Sequence, residues 1–215
     1  MRNDPVFTEL SSLLAALTPP ITSLLTGPYA FFGHSMGALV SFELACALRS
    51  QGVAGPVHMV VSGHRAPQIP DRKPPIHHLP DPEILAKLRR LGGTPEEVLL
   101  NEELMEMYLP LLRADFTVCE TYEYVPREPL GCSVTAFGGT DDPQVSAEDL
   151  GAWRARTRGP FSLHMFPGRH FFLRSAQSLV LQVLAEDLRR VLRRIPRTAQ
   201  ASRHDLLNGE RAPWP

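Results

Sequence analysis

Between Tyr29 and Leu48 the hydrophobic pattern changes period across one short glycine-bounded segment. Tyr29-Ala30-Phe31-Phe32 is an unbroken apolar run that follows the turn Gly27-Pro28, as expected of a strand buried on both faces. Leu39, Phe42, Ala45 and Leu48 then recur at helical spacing as far as Gln51-Gly52, where a glycine suits a helix C-terminus. Only Gly33-His34-Ser35-Met36-Gly37 separates the two patterns. A strand that enters a helix over so few residues turns back tightly, and the two backbones pass close to each other. The spacing therefore requires Gly33 and Gly37 to be small. It also holds Ser35, at the apex, in a strained conformation with its hydroxyl clear of the sheet.

The alternation continues along the chain. A helix over about 8–25 is marked by Leu10, Leu13, Leu14 and Leu17, broken or kinked at Pro19-Pro20. Strand runs recur at Val57-His58-Met59-Val60-Val61, Ser133-Val134-Thr135-Ala136-Phe137 and Ser162-Leu163-His164-Met165-Phe166. A helix opens at Ser146, which caps toward Asp149 with Val145 and Leu150 as a hydrophobic staple. The closing helix carries Ala176, Val180, Val183, Leu184, Leu188 and Val191 on one stripe. Residues 70–129 differ. Asp81-Pro82 and Thr94-Pro95 read as N-caps with proline at the first helical position, Thr94 with Glu97 forms a capping box, and a longer helix spans roughly 102–124, bent or interrupted at Pro110. The chain thus reads as one α/β domain over 1–195, with about four mostly parallel strands, a helical insertion at about 70–129 and a disordered tail over 196–215.

Net charge is -1, which offers no basic face for nucleic acid or an anionic membrane. Cys46, Cys119 and Cys132 are an odd, widely spaced set, unsuited to a disulfide framework or a structural metal, and this points to a reducing cytoplasm. No apolar stretch reaches the length of a membrane span. The expectation is a soluble monomer that holds neither metal nor cofactor.

The chemistry converges on three positions. A hydroxyl at the apex of such a turn is a nucleophile once a base takes its proton and an acid orients that base. In chains built around a nucleophile elbow, the acid follows a later strand and the histidine follows the last one. His170, after the final strand, is placed to be the base; His34 adjoins Ser35 but alternation along the elbow turns it away. Asp142 is preferred over its neighbour Asp141 as the acid, because it stands three residues before Val145. The plainer alternatives are an N-cap serine in a glycine-rich turn and a helix-capping histidine.

These residues make the chain resemble an α/β-hydrolase, and within that superfamily a type II thioesterase of polyketide and nonribosomal peptide synthesis. Gly33-His34-Ser35-Met36-Gly37-Ala38 with Phe42-Glu43-Leu44-Ala45 is similar to the family's elbow, and Ser62-Gly63-His64-Arg65-Ala66-Pro67 to its next loop. Leu91-Gly92-Gly93-Thr94-Pro95, Leu112-Arg113-Ala114-Asp115-Phe116 and Glu120-Thr121-Tyr122 resemble its lid. The resemblance implies hydrolysis of acyl or aminoacyl thioesters on the phosphopantetheine arm of a carrier protein, with Ser35, Asp142 and His170 as the triad and the Met36 amide as an oxyanion donor. Met105, Met107, Tyr108 and Leu111 lie in the lid, where helical spacing equally suits plain core. Two departures carry expectations of their own. Arg169 stands where the family has a second glycine, which strains the backbone and sets a cation beside His170. The family also has further strands, and a loop with a second oxyanion donor, ahead of the point matching Pro5. This implies an N-terminally truncated form with Tyr29-Phe32 on an apolar sheet edge. The alternatives are a catalytically impaired paralogue that binds carrier protein, and an esterase or acyltransferase of the same superfamily.

Overall fold

The computed structural model describes residues 6–195, so the tail expected over 196–215 lies outside the described residues. Four strands, β1 (Ala30–His34), β2 (His58–Ser62), β3 (Ser133–Gly139) and β4 (Phe161–Phe166), form one sheet in that order, and every neighbouring pair is parallel. Around them lie α1 (Leu10–Leu24), α2 (Met36–Ser50), α3 (Asp81–Leu91), α4 (Glu96–Leu99), α5 (Glu102–Glu120), α6 (Ala147–Gly151), α7 (Phe172–Ser175) and α8 (Gln177–Leu192). Parallel strands need crossovers, and the helices that supply them cover both faces of the sheet.

Alternation along β2 divides the core. Met59 and Val61 pack with Ala38 and Phe42 of α2 and with Trp153, whereas Val60 packs with Phe137, Phe166, Phe172 and Val180. With both faces covered, every residue of β2 is buried. β1 departs from one of its two expectations, burial on both faces. It stands at the sheet edge, and although Phe31 packs against the α2-side core, Phe32 on the α8 side is 43% exposed. No strand among the described residues pairs with its outer edge.

The insertion between β2 and β3 is helical, with its own cluster of Ile84, Leu88, Leu99, Met105 and Leu109. Its caps differ from the expected ones. Pro80 and Pro95 occupy the N-cap positions of α3 and α4, neither helix has a side-chain cap, and the Thr94–Glu97 box does not form. Asp81 instead receives Arg113 Nη2 at 2.5 Å, a tertiary pairing that outcompetes local capping. Asn101, not anticipated, caps α5 by accepting from the Leu104 amide. Helices α1 and α5 both run continuously through their prolines, so of the expected break or kink at Pro19-Pro20 and bend or interruption at Pro110, neither the break nor the interruption occurs. Near the first of these, Thr18 and Thr22 donate to the Leu14 and Thr18 carbonyls at 2.7 Å, side-chain bonds that add to the helical ladder. At Ser146 the capping box toward Asp149 forms, and Val145 and Leu150 are both buried.

Candidate active site

Ser35 joins β1 to α2 at φ 53° and ψ −123°, the one non-glycine residue with positive φ among the described residues. Such a conformation costs about 1–3 kcal/mol and persists only where the surroundings over-determine it. Here the Ser35 amide donates to the Ser62 carbonyl at 2.7 Å, and the Ser35 carbonyl accepts from the Ala38 amide at 2.9 Å. A Cβ on Gly33 would lie 2.1 Å from the Gly37 carbonyl oxygen, so only glycine allows the strand to fold back on the helix. The crowding is one-sided. A Cβ on Gly37 would meet nothing within 4 Å, which corrects the expectation that both glycines are forced. The Ser35 hydroxyl does not cap α2; it lies 3.1 Å from His170 Nε2.

His170 sits in the turn between β4 and α7, and its Nδ1 is 2.9 Å from Asp142 Oδ2. The two side chains are 5% and 0% exposed, so little water screens the pair. A carboxylate only accepts, so Nδ1 carries the proton and Nε2 offers a lone pair to the Ser35 hydroxyl. The other Asp142 oxygen accepts from the Gln144 amide at 2.8 Å. Asp141 is exposed and receives the Thr140 hydroxyl instead. The structure therefore brings together Ser35, His170 and Asp142, and leaves Asp141 outside. Met36 opens α2, so its amide is among the first-turn donors that have no intrahelical acceptor. The strain expected at Arg169 does not arise: the positive φ of that turn falls on Gly168, at 123°, and Arg169 is exposed.

His34 corrects the sequence reading. It does not leave the site: its ring centroid is 5.1 Å from that of His170 and 5.5 Å from that of Phe171. As the last residue of β1 it points to the α8 face, the face over which the His170 turn crosses. Its Nδ1 is 2.9 Å from the Ser62 hydroxyl, and burial, followed by the neighbouring His170, lowers its pKa to about 4. His64 is likewise pushed to about 4, chiefly by burial, with its Nδ1 donating to the Arg65 carbonyl at 2.7 Å. Neither His34, Ser62 nor His64 was identifiable as part of the site from the sequence. The signal that could have found Ser62 is register, which places it opposite His34.

The insertion reaches the site at two points. Arg174 donates to the Gly93 carbonyl at 3.2 Å, beside Phe171, whose ring stands edge-on to His170 at 5.1 Å. Lys73 Nζ donates to the carbonyls of Pro143 and Gln144, in the loop that carries Asp142. Met105 belongs to the insertion's own core, whereas Met107, Tyr108 and Leu111 are exposed.

A strained serine, a histidine and a buried carboxylate in one hydrogen-bonded line constitute the geometry of a serine hydrolase. Comparison with known proteins agrees. A Brevibacillus parabrevis protein named linear gramicidin dehydrogenase LgrE is 49% identical over 88% of this chain and 73% of its own length. The gramicidin S biosynthesis protein GrsT of Aneurinibacillus migulanus is 46% identical over 86% of this chain and 72% of its own. The solved structure of BorB, the type II thioesterase from the borrelidin biosynthetic cluster, superposes with a TM-score of 0.76 at 39% identity, covering 84% of this chain and 73% of that one. The thioesterase domain family model matches residues 1–192, and the chain belongs to that family.

Proposed function

We propose that the chain hydrolyses acyl or aminoacyl thioesters carried on the phosphopantetheine arm of a carrier protein, serving polyketide or nonribosomal peptide synthesis, with Ser35 as nucleophile. The observation that carries this reading is the line Ser35 Oγ–His170 Nε2 and His170 Nδ1–Asp142 Oδ2, at 3.1 and 2.9 Å. Ser35 Oγ attacks the thioester carbonyl carbon as its proton passes to His170 Nε2. Asp142, fully buried, stabilises the imidazolium so formed. The Met36 amide, at the positive end of α2, faces the charge that develops on the carbonyl oxygen. Collapse breaks the C–S bond, and His170 returns the proton to the departing sulfur. Water then gives a proton to His170 and attacks the acyl-serine; the C–Oγ bond breaks and the proton returns to Ser35.

LgrE is named a dehydrogenase, whereas a line that takes the proton from a serine hydroxyl serves acyl transfer. That chemistry is shared with esterases, and the lid-like insertion tied to Arg174 and to the Asp142 loop favours a substrate presented on an arm. The test is release of acyl and aminoacyl groups from loaded carrier protein, followed by intact-mass spectrometry. Release should be at least about 10³-fold slower with Ser35→Ala, and simple esters should react more slowly than carrier thioesters. Release that survives Ser35→Ala overturns the mechanism. Binding of loaded carrier without release would establish a carrier-binding protein instead.

A further inference from the structure

The end of β2 serves the site in a way that the thioesterase reading leaves unused. The Ser62 carbonyl receives the Ser35 amide at 2.7 Å, and the Ser62 hydroxyl, on a residue 0% exposed, is 2.9 Å from His34 Nδ1. The next residue, Gly63, has φ +62°, and a Cβ there would lie 2.7 Å from His34 Cε1 and 3.4 Å from His170 Cε1. The two imidazoles thus stand against the same stretch of backbone, 5.1 Å apart between centroids and tilted by 46°. Phe171 and Phe172 enclose the His34 ring from the α7 side.

His34 Nε2 is buried, and among the described residues it has no hydrogen-bond partner. An apolar side chain of similar size would fill this space without leaving a buried nitrogen unpartnered. What the imidazole supplies, and an apolar group does not, is a ring whose orientation is fixed by the Ser62 hydroxyl.

We propose that Ser62 and His34 act as one positioning unit for His170: the hydroxyl pins the His34 ring, and the pinned ring holds the His170 imidazole in line with Ser35. The inference rests on the serine-hydrolase reading. The charged and titratable groups facing His34 are His170, Asp142 and His64, and burial keeps His34 itself neutral at pH 7. It therefore supports His170 without placing a second cation beside the imidazolium that forms during attack. Release of the pin lets the His170 ring leave its line with Ser35, which slows the proton transfers of the reaction without weakening substrate binding.

The experiment measures kcat and KM on an acyl-N-acetylcysteamine thioester, per active site counted by a fluorophosphonate, so that misfolded protein is not scored. Ser62→Ala, which keeps the carbonyl contact to Ser35, and His34→Phe, which keeps a ring, each lower kcat about tenfold with KM within about twofold. Because the two residues act as one unit, the double variant is no slower than the slower single variant. His34→Asn, whose amide reaches the Ser62 hydroxyl as Nδ1 does, retains more activity than His34→Leu. Multiplicative losses in the double variant, or single variants with wild-type kcat per titrated site, overturn the proposal. Ser35→Ala is the separate control: if it retains activity, the hydrolase reading itself fails.

Discussion

Asp142 Oδ2 lies 2.9 Å from His170 Nδ1, while Asp141, one residue earlier, is exposed and bonded to the Thr140 hydroxyl. The difference arises in the backbone of the turn after β3. There the Asp141 amide donates to the Gly168 carbonyl and the Asp142 amide to the Gly139 carbonyl, which joins the loop of the acid to the loop of the base. Asp142→Asn, which keeps the shape but reverses the preferred tautomer of His170, should lower kcat by about 10³–10⁴-fold. Asp141→Asn should stay within about threefold of wild type, since an exposed turn carboxylate contributes little to the site. Steady-state kinetics on one acyl thioester checks both, and a greater loss at Asp141 would reverse the assignment.

The parts of this site set by short-range pattern were legible in the sequence. The change of period across Gly33–Gly37 located Ser35, the strand-then-turn order located His170, and Ser146 with Asp149 located the start of α6. What depended on distant partners was not. Asp81 looked like a cap until Arg113, far along the chain, claimed its carboxylate. His34 was expected to leave the site because alternation describes one strand. Its position beside His170 depends on a turn that arrives from beyond β4. Whether β1 is central or at an edge is a property of the sheet, and its apolar run reads the same in both cases.

The two glycines of the elbow should respond in opposite ways. Gly33→Ala places a methyl 2.1 Å from the Gly37 carbonyl oxygen, where backbone must move, so the variant should lose activity and melt well below wild type. Gly37→Ala meets open space and lies in the first turn of α2, where alanine is favoured over glycine by about 0.5–1 kcal/mol. Its melting temperature should equal or exceed that of wild type. Thermal denaturation of the two variants decides the point, and a destabilised Gly37→Ala would show that the helix start is more crowded than the geometry indicates.

The neutral buried histidines make stability depend on mild acid. His34 and His64 each have a folded-state pKa of about 4, against 6.5 ordinarily, because burial disfavours the charged form. Between those values the unfolded chain binds protons that the folded chain does not. The associated stability is therefore complete above about pH 6.5 and is lost as pH falls toward 4. Two such groups give a slope of about 2–3 kcal/mol per pH unit near pH 5. His64→Asn, which keeps a donor for the Arg65 carbonyl but does not titrate, should remove about half of that slope. Urea unfolding at intervals from pH 7 to 4.5 measures it; an unchanged slope would mean that His64 takes up its proton while folded.

Glu43 poses a question of stability rather than catalysis. It projects from the middle of α2 with its side chain 6% exposed; Oε1 accepts from the Tyr122 hydroxyl at 2.7 Å and Oε2 pairs with Arg127 at 3.0 Å. Burial, and then the Glu43 carboxylate, push the Tyr122 hydroxyl pKa well above its usual value, so it stays protonated and donates. These contacts tie the segment after α5 to α2, the helix that follows Ser35. Tyr122→Phe removes one charge-assisted hydrogen bond and should cost about 1.5–3 kcal/mol. Arg127→Ala leaves a buried carboxylate without its cation. The cost should be about 2–3 kcal/mol, below that for a fully buried pair because Arg127 is 31% exposed and partly screened. Neutralising the orphan restores what the loss of its partner removed, so Glu43→Gln with Arg127→Ala should be more stable than Arg127→Ala alone. Chemical denaturation of the three variants tests this. If the double variant is the least stable, Glu43 draws its stabilisation from Tyr122 and not from Arg127.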